Sequence, residues 1–71
     1  MAVLIGAMID VMAIKVGTRL KLVEGVVAEV VENMDDGQWL QVRYLESPGR
    51  PADVGATELC HAQDVINVLG E

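Results

Sequence analysis

Arg19-Leu20-Lys21-Leu22 alternates polar with apolar residues, the two-residue period of a strand that lays one face on a core. A turn signal, Val16-Gly17-Thr18, stands before it, and Gly25 breaks the chain after Glu24. Val26 to Glu32 follows as a β-branched run whose only internal charge is Glu29, which predicts a second, largely buried strand. Asn33-Met34-Asp35-Asp36-Gly37 then leads into a third strand over Gln38 to Leu45. Asp-Gly supplies the positive φ of a tight reversal, so the two runs are expected to form a hairpin. Along the third strand Leu40, Val42 and Tyr44 share one face, while Trp39, Gln41 and Arg43 point the other way.

Ser47-Pro48-Gly49-Arg50-Pro51 cannot continue a central strand, because two prolines withhold ladder donors. A long loop from about Glu46 to Ala56 is therefore expected. Thr57 to His61 suits a short fourth strand, Ala62-Gln63-Asp64 a single helical turn, and Val65 to Leu69 a fifth strand. Before Val16 the pattern changes. Val3, Ile5, Ala7, Ile9 and Val11 share one face of an extended segment, and the opposite face, Leu4, Gly6, Met8, Asp10 and Met12, is largely apolar too. Such a pattern fits a strand buried on both sides, and the expectation is that this one pairs with, or packs against, a second subunit.

With Gly17-Thr18-Arg19 at its start, the Asp35-Asp36-Gly37-Gln38-Trp39 hairpin and the Glu58 to Leu69 ending, the chain resembles the SH3-like small β-barrel of Tudor, KOW and related bacterial modules. The resemblance covers residues 16–69. It implies a mainly β fold: a five-stranded SH3-like barrel forming a single domain over 1–71, with an extra N-terminal apolar strand within 1–15 and one short helical turn near the C-terminus. The Gly17-Thr18-Arg19-Leu20 opening is also similar to that of the type II dihydrofolate reductases, short barrels that become active by assembling around a shared pore. Their Val-Gln-Ile-Tyr active-site strand has no equal here, since the nearest stretch is Gln63-Asp64-Val65-Ile66-Asn67.

Composition sharpens the expectation of self-association. A chain of 71 residues buries only about 60 % of its unfolded surface, and so small a domain ordinarily leans on a disulfide, a metal, an unusually good core or a partner. Cys60 is the only cysteine, which removes the disulfide. Aliphatic side chains are abundant instead: hydrophobic residues make up 52 %, yet Trp39 and Tyr44 are the only aromatics. That surplus favours burial between subunits, as in an obligate homo-oligomer. Eleven acids against five bases give a net charge of −6, which disfavours nucleic acid unless Lys15, Arg19, Lys21 and Arg43 converge. The apolar start has no basic residue before Lys15 and is interrupted by Asp10, so neither a secretory leader nor a membrane span is expected, and the chain reads as cytoplasmic.

Three constellations invite chemistry. Cys60 and His61 suggest a nucleophile and its base, but neighbours on a strand point to opposite faces, and the pair reads as a structural thiol beside an exposed imidazole. Glu32, Asp35 and Asp36 offer oxygen ligands, yet aspartate belongs in a tight turn for its backbone bonding, so no metal or other cofactor is expected. Trp39 with Arg43 is the candidate binding patch, both residue types being enriched at interaction hot spots. The resulting expectation is a non-enzymatic, self-associating protein-interaction module, with Trp39 and Arg43 facing a partner and Val3, Ile5, Ala7, Ile9 and Val11 between subunits. The alternative is an oligomeric small-molecule-binding protein or enzyme whose site forms between subunits.

Overall fold

A computed structural model describes residues 11–70. Five antiparallel strands form one sheet: β1 (Arg19–Leu22), β2 (Val27–Asn33), β3 (Trp39–Glu46), β4 (Thr57–His61) and β5 (Val65–Gly70), in the spatial order β4-β3-β2-β1-β5. Single 3-10 turns cover Val11–Ala13, Val23–Gly25, Pro51–Asp53 and Ala62–Asp64.

Alternation places the core. Leu20 and Leu22 are buried between exposed Arg19 and Lys21, and Ala28, Val30, Leu40 and Val42 continue the same inner layer across β2 and β3. Val11, Ile14, Cys60 and Val65 complete it, with Val26, Tyr44 and Ala62 packed at its margin. Among the described residues, Leu20, Val30, Leu40 and Val42 are the largest side chains fully withdrawn from solvent.

The sheet is open, which corrects the expectation of an SH3-like barrel. β4 hydrogen-bonds to β3 and β5 to β1, and among the described residues no ladder joins β4 to β5. Five strands laid flat would hold the two edges about 19 Å apart. The chain crosses from His61 to Val65 through a three-residue turn, and four Cα steps span at most about 14 Å. The sheet must therefore curl, and register shifts in the β1–β5 and β2–β3 ladders supply local bends. Curling brings the end of β4 near the start of β5, and no ladder forms between the two strands.

The expected N-terminal strand is corrected where it can be seen. Val11 opens a 3-10 turn, not a strand, and is buried in the core of its own chain. Val3, Ile5, Ala7 and Ile9 lie outside the described residues. The approach to the sheet is fixed by Asn33. Its Nδ2 donates to the carbonyls of Val11 and Ile14, both at 2.9 Å, and its Oδ1 accepts from the Asp35 amide at 2.8 Å. One side chain thus ties the residues before β1 to the end of β2 and to the hairpin turn.

The hairpin reversal differs from the expected tight Asp-Gly turn. The left-handed residues are Asp35 (φ 61°) and Gly37 (φ 78°), with Asp36 between them serving as an acceptor. A left-handed aspartate is tolerated here because the Asn33 side chain holds its amide.

Substituting Asn33→Asp keeps the shape of this linchpin but turns the Nδ2 donor into an acceptor facing two carbonyls. The new carboxyl is expected to have its pKa raised in the folded state, because ionisation there is repelled. Its sign follows: below the ordinary carboxyl range the protonated variant keeps one of the two donors and should be modestly less stable than wild type, and it should lose a further amount of about 1–3 kcal/mol as pH rises through the raised pKa. Urea melts of both proteins between pH 3 and 7 test this; a constant difference across that range would show that the donor pair is not what the site depends on.

Candidate functional site

The outward face of β3 is organised from the hairpin upward. The Asp36 carboxylate accepts from the amides of Gln38 and Trp39, each at 2.9 Å, and these bonds, that to Trp39 foremost, hold its pKa below the ordinary value. The start of β3, and with it Trp39, is anchored to the turn. On the other side the Gln38 carbonyl accepts from the Ala62 amide at 2.7 Å, and the register sets Trp39 opposite His61. The indole and imidazole meet edge to face, with centroids 4.8 Å apart and planes at 87°, a geometry that aromatic quadrupoles favour. His61 Nδ1 accepts from the Gln63 amide at 3.1 Å, so in the neutral ring the proton resides on Nε2. Trp39 is 39 % exposed and yet held from both directions.

Arg43 lies on the same outward face, with Gln41 between it and Trp39. Its guanidinium approaches Glu29 at 4.0 Å, a solvent-exposed pair of small energetic weight. Across the sheet the register runs Arg19, Glu29, Arg43, Thr57, so the outward cations alternate with an acid and do not merge into a positive stripe. Leu59 of β4, opposite Gln41, extends the patch and is exposed. Trp39, Leu59, His61 and Arg43 therefore form one surface, although Trp39 and Arg43 do not touch as a pair. His61 belongs to it through a register that depends on the long β3–β4 loop, and strand alternation alone did not reveal that partner.

Tyr44 points the opposite way, toward the inner side of the sheet. Two shallow clefts, of about 180 and 150 Å³, flank it and share Glu24, Val26 and Tyr44 in their walls. The first is completed by Ser47, Gly49, Arg50 and Asp53, where Arg50 Nε pairs with Asp53 at 3.3 Å. The second reaches Cys60 and Asp64. Burial, followed by the nearby charge of Glu58, raises the pKa of the Tyr44 hydroxyl. Glu24 enters the walls from a left-handed backbone at φ 63°, a conformation costing about 1 kcal/mol or more for a residue with a Cβ. Neither Glu24 nor this cleft pair was singled out in the sequence; the Gly25 break marked the turn without showing that Glu24 shares its backbone hand.

Cys60 and His61 take opposite faces of β4. The thiol is in the core and donates to the His61 carbonyl at 3.5 Å, while the imidazole stands against Trp39. Burial, with Asp64 nearby, pushes the Cys60 pKa up to about 11. Among the described residues no three histidine, cysteine or acidic side chains are grouped so as to hold a metal ion. Nor is any described helix long and apolar enough to cross a membrane. The chain matches no protein-family model, and comparisons with curated proteins and with solved structures return no significant match.

A thiol with a pKa of about 11 is thiolate in only about one molecule in a thousand at pH 8. Native protein should therefore react with a disulfide reagent far more slowly than urea-unfolded protein, which exposes an ordinary thiol. Because the folded pKa lies above the unfolded value near 9, stability should fall as pH rises from about 9 toward 11. Cys60→Ala should lack that part of the decline. Equal labelling rates before and after unfolding would refute the buried assignment.

Proposed function

We propose that this protein is a self-associating protein-interaction module whose partner-facing surface is the outward Trp39 face. The observation that carries the reading is the exposed indole fixed between the Asp36-anchored turn and the His61 ring. Binding loses entropy when a side chain must be ordered on contact, and a large aromatic already held in place avoids much of that cost. Arg43 and Leu59 supply a charged and an apolar neighbour on the same face, the composition of an interaction hot spot with its rim.

Trp39→Ala should abolish cross-linking to the partner recovered with the wild-type chain and leave the far-ultraviolet circular dichroism spectrum intact, since the indole lies outside the core. Full retention of the same cross-linked partner would exclude this face.

The clefts around Tyr44 favour a second reading, a small-molecule-binding protein whose site is completed by another subunit. At about 180 and 150 Å³ each is smaller than the roughly 300–1,000 Å³ typical of ligand pockets, so one chain alone would cover a ligand poorly. Under this reading, a compound from a nicotinamide, folate and nucleotide panel should raise the melting temperature of wild-type protein and fail to do so with Tyr44→Ala. Equal stabilisation of both would place any site elsewhere.

A further inference from the structure

β4 ends the sheet on one side, and one edge of its backbone has no strand to pair with. The Ala62 amide donates to the Gln38 carbonyl and the Tyr44 amide to the Ala56 carbonyl, so the hydrogen-bonded pairs between β3 and β4 fall at Leu40 with Cys60 and Val42 with Glu58. The amides and carbonyls of Thr57, Leu59 and His61 therefore point away from β3, and among the described residues no second strand meets them. The His61 carbonyl has only the Cys60 thiol, at 3.5 Å. Such an edge is a template for another strand.

The inner side of that edge is acidic. Glu58 shares the face of Cys60 and Val42 yet is exposed, so the core layer stops short of it. The two clefts beside Tyr44 join through the wall they share at Glu24, and the groove they make runs from Asp64 and Leu59 to Asp53. The charges of Glu58, Asp53 and Asp64 all act on the Tyr44 hydroxyl, which sets them around the same groove. Among the described residues the one cation in its walls is Arg50, which pairs with Asp53. Charge selects the occupant. A second copy would bring its own net charge of −6 to an edge already acidic, and an uncharged strand would leave the inward carboxylate facing nothing.

We propose that the β4 edge and this groove take up an extended, lysine- or arginine-bearing segment of another protein, which pairs with Thr57, Leu59 and His61 as a further strand and sets its basic side chains against Glu58 and Asp64. In an antiparallel addition Glu58 falls at a non-hydrogen-bonded position, where facing Cα atoms stand about 4.5 Å apart and side chains meet most closely. The alternate side chains of the segment take the outward face beside Leu59 and His61, on the surface that holds Trp39. Main-chain bonds supply the affinity, and the alternation of basic with apolar residues supplies the choice of partner. The inference rests on the reading of the protein as an interaction module and assigns that partner its chemistry.

The probe is a fluorescein-labelled peptide of about seven residues that alternates lysine with valine, titrated with the full chain and read by anisotropy. It should bind, and the same peptide with glutamate for lysine should not. Glu58→Gln, at an exposed position, should keep the circular dichroism spectrum and weaken binding about 5-fold or more, with Asp64→Asn acting in the same direction. Asp35→Asn removes an equal charge at the hairpin turn, where asparagine tolerates the left-handed backbone, and should leave the affinity within about 2-fold. Methylating the valine amide nitrogens, which face β4 in this register, should weaken binding about 10-fold or more, whereas methylating those of the lysines should be tolerated. Equal losses from Glu58→Gln and Asp35→Asn, equal losses from the two methylated peptides, or no binding up to the millimolar range would each overturn the strand-addition site. Should that happen while Trp39→Ala still abolishes cross-linking, the Trp39 face stands without it.

Discussion

The fold hangs on one polar side chain more than on any single apolar contact. Asn33 satisfies two carbonyls from the segment before β1 and one amide of the hairpin turn, so the arrival of the chain, the end of β2 and the direction in which β3 departs share a common fixture. An aliphatic side chain there could fill the space but would leave those backbone groups without partners, at a cost comparable to lost hydrogen bonds. Because β3 starts from this turn, the placement of Trp39 is inherited from it. The aspartates of the turn act in the same sense, Asp35 by accepting a left-handed backbone and Asp36 by gathering the first amides of β3.

Around that fixture the apolar layer is thin. Among the described residues, full burial of large side chains is confined to Leu20, Val30, Leu40 and Val42, all from the three central strands. Toward the edges burial fades: on β4 only Cys60, and on β5 only Val65, is buried. A domain of this size has little stability to spare, and a sheet that curls without closing leaves apolar surface at its rims.

Local order was readable in the sequence. The two-residue period located β1 and β4 with their observed ends and the other strands to within a residue, because alternation and turn chemistry act over a few positions. It also assigned Trp39 and Tyr44 to opposite faces. Closure was not readable. Whether β4 meets β5 depends on the curvature accumulated over the whole sheet, through register shifts such as those opposite Arg19 and Lys21, and no short pattern encodes that. The expectation of closure came from the resemblance to SH3-like barrels, and the open sheet overturns it. Val11 misled for a related reason: a short apolar run reads equally well as a strand or as a buried turn. In the candidate site, Trp39 and Arg43 could be named from residue type, but the His61 contact required the register across a ten-residue-scale loop, and the Tyr44 clefts required the backbone hand of Glu24.

The edge-to-face contact of Trp39 with His61 has an optical consequence. The chain contains one tryptophan, and it stands on the outward face with an imidazole against it. The indole emission of the whole molecule therefore originates at a single place, in a setting where a change of solvent access or of the neighbouring ring alters both its wavelength and its intensity. The protein carries its own chromophore at the surface in question. A molecule placed over that surface would change the colour of the light it returns, without any label having been attached.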